Sequence, residues 1–85
     1  MAYDDLEVDD QEDRDIDLEM LREALVGELE AINQYQEYID SLENEEAIRV
    51  LEHIQDDEKE HFAELTKLIQ QLDPTQAEKF KKEGL

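Results

Sequence analysis

Residues 54–65 read IQDDEKEHFAEL, and the phasing of this stretch decides the fold. Ile54 and Leu65 belong to an apolar stripe of Ala47, Leu51, Ile54, Leu65, Leu68 and Leu72. Its 3-4 spacing marks a helix with one buried face. Between Ile54 and Leu65 the spacing runs on as four, three, four, but the residues standing on it are Glu58 and His61. Ile48, Phe62 and Ile69 lie beside the stripe and widen it. Asp73 and Pro74 end the helix, because proline disfavours a helical residue before it.

An equivalent stripe lies upstream: Leu18, Leu21, Leu25, Ile32, Tyr35, Ile39 and Leu42, with Glu28 filling the gap after Leu25. Asp17 reads as its N-cap, and Glu19 suits the positive end of the helix dipole. The polar run SLENEE, 41–46, reads as a tight turn in which Asn44 can take a left-handed conformation. Thr75 to Glu83 reads as a short third helix, with Ala77 and Phe80 as its apolar contacts and Gly84 as its end. Residues 1–16, MAYDDLEVDDQEDRDI, crowd like charges without a helical period and read as a disordered acidic tail. The expected protein is therefore all-α. A tail over 1–16 precedes a domain over 17–85, an antiparallel two-helix hairpin plus a short C-terminal helix.

Composition narrows the function. The 85 residues contain no cysteine, which removes disulfides, thiolate metal sites and cysteine nucleophiles. The formal net charge is −19, from 27 acidic and 8 basic residues. Such a surface repels nucleic acid and anionic membranes and attracts cations. It fits adaptation to a salty medium as well as a role in gathering metal. No stretch approaches the roughly 20 apolar residues of a membrane span, and the acidic start lacks the basic and apolar regions of a signal peptide. The expected location is the cytoplasm or a cytoplasmic compartment.

Glu28, Glu58 and His61 stand where apolar residues are required. An unpaired buried carboxylate costs several kcal/mol, so it must be protonated, paired or bound to metal, and no Lys or Arg occupies either stripe. Two carboxylates and an imidazole suit a hard or borderline divalent cation. At about 1.5 Å per residue, Glu28 and Glu58 both lie roughly 20 Å from the turn, so the hairpin brings them level. Glu58 and His61, three apart, share a helix face. Glu-x-x-His opposed by a Glu on another helix is half of a di-iron bundle site, which takes four carboxylates and two histidines from four helices. Two copies related by a two-fold axis complete the set. The expectation is a homodimer, a four-helix bundle with iron shared on its axis.

GELEAINQYQEY, 27–38, and DDEKEH, 56–61, resemble the encapsulated ferritins within the ferritin and rubrerythrin group, and the likeness runs over about residues 18–83. It implies a dimeric di-iron ferroxidase centre of Glu28, Glu58 and His61, and a ring of five dimers. It further implies that Fe(II) is oxidised and delivered to an encapsulin nanocompartment shell for iron storage. Tyr35 matches the aromatic beside the family's centre, and its phenol is expected to hydrogen-bond a ligand carboxylate. Glu30 matches one acid of a metal-entry site, whereas Gly27 replaces the other and Gln34 replaces a tryptophan. The family's shell-docking tail has no counterpart among these residues. His53 reads as a surface residue with Asp57 four positions on.

Three other readings compete. A metal such as zinc or manganese could staple two protomers without catalysis. The polar residues could only fix the register of a helical interaction protein. A rubrerythrin fragment is disfavoured by the missing cysteines of its second iron site.

Overall fold

The computed structural model describes the backbone of residues 3–85 and the side chains from Glu12 onward. Three helices follow in order: α1 over Tyr3–Ser41, α2 over Glu45–Leu72 and α3 over Pro74–Lys82. α1 packs against α2, and α3 packs against α2. There is no strand among the described residues. The expected hairpin and short third helix are both present, with α3 starting at Pro74 rather than Thr75 and ending at Lys82 rather than Glu83.

Regular structure begins at Tyr3, not at Asp17, so the acidic segment read as disordered is helical from its third residue. No Gly or Pro interrupts the chain before Gly27, and acids at the start of a helix face the positive end of its dipole. Charge crowding was the wrong signal to weigh most heavily there. Asp17 accordingly lies within α1 and caps nothing. Met1 and Ala2 lie outside the described residues.

The turn is shorter than its polar run suggested. Only residues 42–44 separate the helices, and no non-glycine residue has a positive φ among those described. Asn44 is extended (φ −72°, ψ 118°) and its side chain accepts a hydrogen bond from the Ala47 amide at 2.8 Å. It is thus the N-cap of α2 rather than a left-handed turn residue, and Glu45 and Glu46 follow in the first turn. Asn44→Ala should cost about 1 kcal/mol, read as a lower denaturant midpoint at unchanged slope.

Asp73 joins the other end. It closes α2, and its carboxylate accepts from the Gln76 amide at 3.1 Å to cap α3. The same carboxylate receives Arg22 Nη2 at 2.8 Å, tying the α2–α3 corner to α1. Gly84 takes φ +79° after α3, a conformation open to glycine at little cost.

The buried seam on α2 is phased one residue later than the stripe read from sequence. Ile69 is buried, whereas Leu68 is 44 % exposed. The inward set is Ile48, Leu51, Gln55, Glu58, Phe62, Leu65 and Ile69. On α1 it is Leu18, Leu21, Leu25, Glu28, Ile32, Tyr35 and Ile39 as expected, while Leu42 is exposed. Each helix carries a second apolar face one position before its seam. On α1 that face is Met20, Ala24, Gly27, Ala31 and Tyr38; on α2 it is Ala47, Ile54, His61 and Leu68. One position is about 100° around a helix. Because the helices run in opposite directions, the same backward step carries both faces to one side of the hairpin.

The molecule measures 63 × 30 × 14 Å. A helix with its side chains is about 10–12 Å across, so the hairpin is a single layer. Domains are built from at least two packed layers. Among the described residues only Leu18 and Ile69 of the apolar side chains are buried, and Met20, Tyr38 and Leu68 stay exposed on one side.

Candidate metal centre

Glu28 on α1 and Glu58 and His61 on α2 come together as the spacing required. His61 Nδ1 lies 3.6 Å from Glu28 Oε1 and 3.6 Å from Glu58 Oε2. One donor atom from each residue falls within 4.8 Å of the others, and no other group of three such residues does so among those described. The carboxylates sit in the seam, their side chains about one-fifth exposed at 21 % and 20 %. His61 stands on the adjoining open face and is half exposed. The cluster therefore lies at the boundary between the hairpin's interior and its uncovered side.

The clustered carboxylates and imidazole shift one another's proton affinity. Glu28 is held protonated above the usual carboxylate range by its hydrogen bond with Glu58, by burial and by the Glu58 charge, partly opposed by His61. Burial lowers the affinity of His61 for its proton, but the charges of Glu28 and Glu58, with Glu64 beyond, outweigh it and raise the pKa. Glu28 Oε2 is buried without a hydrogen-bond partner. Two carboxylates, one imidazole and an orphaned oxygen fit a divalent ion of the iron, manganese or zinc kind.

The sign of the pH effect follows. Both groups bind protons more tightly in the folded protein than at their ordinary values of 4.5 and 6.5. Their contribution to stability is complete below those values and is lost as pH rises through the higher folded ones. A cation bound by these groups would take the place of their protons. Zinc titrations in buffers of different ionisation enthalpy should show proton release that grows as the pH falls into the histidine range, and Glu28→Gln should reduce it.

The other expected residues are placed as follows. Tyr35 is half-buried in the seam and meets Tyr38 edge to face, with ring centres 6.1 Å apart. Among the described residues its hydroxyl forms no hydrogen bond with the cluster. Glu30 is exposed, two residues and so about 200° around α1 from Glu28. His53 is exposed, as expected, with Nε2 3.8 Å from Asp57. Gln55 was missed. It is 7 % exposed, and its Nε2 donates to the Ile32 carbonyl at 3.0 Å and to Gln36 Oε1 at 3.1 Å. The signal for it was its place in the seven-residue series Ile48, Gln55, Phe62 and Ile69.

The described residues thus form a one-layer helical hairpin with a Glu, Glu, His cluster at its open edge. The EncFtn-like family model matches residues 4–83, and the chain belongs to that family, the encapsulated ferritin-like proteins. It is 46 % identical over 57 residues to the encapsulin nanocompartment cargo protein EncC of Myxococcus xanthus, covering 67 % of this chain and 44 % of that one. It is 35 % identical over 66 residues to EncB of the same organism, also an encapsulin nanocompartment cargo protein, covering 78 % and 42 %. A ferritin-like-encapsulin shell fusion protein of Pyrococcus furiosus shares 36 % over 64 residues, covering 75 % and 19 %. The chain thus spans less than half the length of these relatives. No solved structure matches it significantly.

Proposed function

We propose that the protein is a ferroxidase whose di-iron site is assembled from two copies of the chain, each giving Glu28, Glu58 and His61. The observation that carries this is the convergence of His61 Nδ1 on both carboxylates at 3.6 Å, at the edge of a hairpin one helix thick. Three donor side chains are half the set that a di-iron bundle site uses. A two-fold axis through the open face doubles them to four carboxylates and two imidazoles and supplies the missing second layer.

Gly27 supports the same face. A glycine inside a helix costs about 0.5–1 kcal/mol relative to alanine. Within the protomer a Cβ there would meet nothing within 4 Å. Its value lies outside the protomer, where Ala24, Gly27 and Ala31 let another helix approach closely beside Glu28.

Iron is the substrate. The four carboxylates neutralise two Fe(II) and favour the more highly charged Fe(III) product. Two Fe(II) give up two electrons, which O2 accepts together with two protons to give hydrogen peroxide; peroxide itself can serve as acceptor instead. His61 binds as the neutral imidazole, so its proton leaves before iron enters. The surface acids raise the local concentration of Fe(II), with Glu30 as the proposed entry residue and Tyr35 beside the centre. The cargo names of the relatives support a place inside a cytoplasmic encapsulin nanocompartment, with oxidised iron passed to the shell for storage. The proposed assembly is a ring of five such dimers.

The test is anaerobic Fe(II) titration followed by oxygen. Saturation near one iron per chain, then ferric absorbance with oxygen uptake, is the expected result. Metal-dependent dimerisation with no oxygen uptake would instead make the protein a metal-stapled module.

A further inference from the structure

We infer that Gln55 is a positioning residue that sets the register of α1 against α2 and so holds Glu28 level with Glu58. This rests on the metal-site reading above. Hydrophobic contact is non-directional, and a seam of Leu and Ile tolerates sliding. A slip of a single residue along a helix moves a side chain about 1.5 Å and turns it about 100°, which would separate Glu28 from Glu58. The apolar seam alone therefore does not fix the metal donors to the accuracy that coordination requires.

Gln55 does. It is the one buried polar side chain among the described residues. Its amide nitrogen donates both hydrogens across to α1, one to the Ile32 carbonyl and one to Gln36 Oε1. Gln36 Nε2 in turn donates to Asp40 Oδ1 at 2.9 Å, which leaves Gln36 Oε1 facing Gln55. Ile32 lies four residues after Glu28, and Gln55 lies three before Glu58. The tie thus stands one helical turn from the carboxylate pair, on the side nearer the hairpin turn. A directed bond to one particular carbonyl distinguishes the native register from its neighbours, as buried polar groups do in helical bundles.

The role is separable from stability. Without Gln55 the Ile32 carbonyl keeps its place in the helix ladder, and the exposed Gln36 turns to water, so no buried group is orphaned. Gln55→Met keeps the length and removes the donor. Cobalt(II) replaces iron as a probe, since its visible spectrum reports coordination geometry. Gln55→Met is expected to unfold at or above the wild-type temperature, yet to bind Co(II) about 10–100-fold more weakly and with an altered spectrum. Gln36→Met removes only the surface arm of the tie and should give a smaller loss in the same direction, which provides the answer should Gln55→Met fail to fold. Wild-type Co(II) affinity and spectrum in the folded Gln55→Met protein, or in Gln36→Met if it alone folds, overturn the inference. Failure of the wild-type protein to bind Co(II) overturns the metal-site reading instead.

Discussion

Glu28→Gln is expected to abolish saturable Fe(II) binding and to lower the rate of iron oxidation by more than about 100-fold, beyond the effect of losing a residue that merely orients a ligand. The same substitution should leave the metal-free protein as stable as before, or more so. Both halves follow from one arrangement. Glu58 beside Glu28, together with burial, raises the affinity of the Glu28 carboxyl for its proton. In the absence of metal, two carboxylates in a partly buried seam repel, and a neutral amide relieves that repulsion. For a metal held as proposed, the amide would lack the anionic oxygen that Glu28 offers. Glu28 Oε2 has no hydrogen-bond partner within the protomer, so the change at that oxygen breaks no hydrogen bond. Thermal unfolding with and without chelator, beside stopped-flow oxidation, separates the two halves. A variant that oxidises iron normally would remove Glu28 from the site and with it the proposed function.

Gly27→Leu should block dimerisation while leaving the protomer folded. The protomer has room for the side chain, since a Cβ at Gly27 meets nothing within 4 Å, and helix propensity improves by up to ~1 kcal/mol. In a two-fold assembly through the open face, the leucine appears twice in a contact shaped for small residues. Overpacking costs about 1–3 kcal/mol, and the symmetry doubles it, which weakens the dimer by at least ~30-fold. Light scattering with and without iron reads this directly. The expected result is a monomer that keeps its helical circular dichroism and loses cooperative metal binding, because half the donors are gone. A metal-bound Gly27→Leu dimer would place the interface elsewhere.

How legible the protein was depends on which kind of signal carried each feature. Glu28, Glu58 and His61 were readable because each interrupts an apolar period, and a charged residue in a required apolar position is a strong exception. Their equal distance from the turn was also readable, since helical rise is constant. Asn44 was singled out correctly but assigned the wrong conformation, because asparagine serves both left-handed turns and N-caps. The N-terminal helix from Tyr3 was hidden by its charge, which bears on solubility more than on backbone preference. Gln55 was hidden by its neighbour. Ile54 and Gln55 fit two stripes one residue apart, and a sequence with apolar residues on both phases cannot state which is inward.

Local chemistry by itself determined that the chain forms a helical hairpin, that three polar side chains share one level of it, and that they suit a divalent cation. Periodicity, caps and fixed rise act within one helix at a time, so they are written in the order of residues. Tertiary structure alone decided the phase of α2: the seam runs through Gln55, Phe62 and Ile69, and His61 and Leu68 turn outward. That choice belongs to two helices meeting, where close packing and a directed hydrogen bond from Gln55 to a carbonyl 23 residues away select one rotation from several that burial alone would allow.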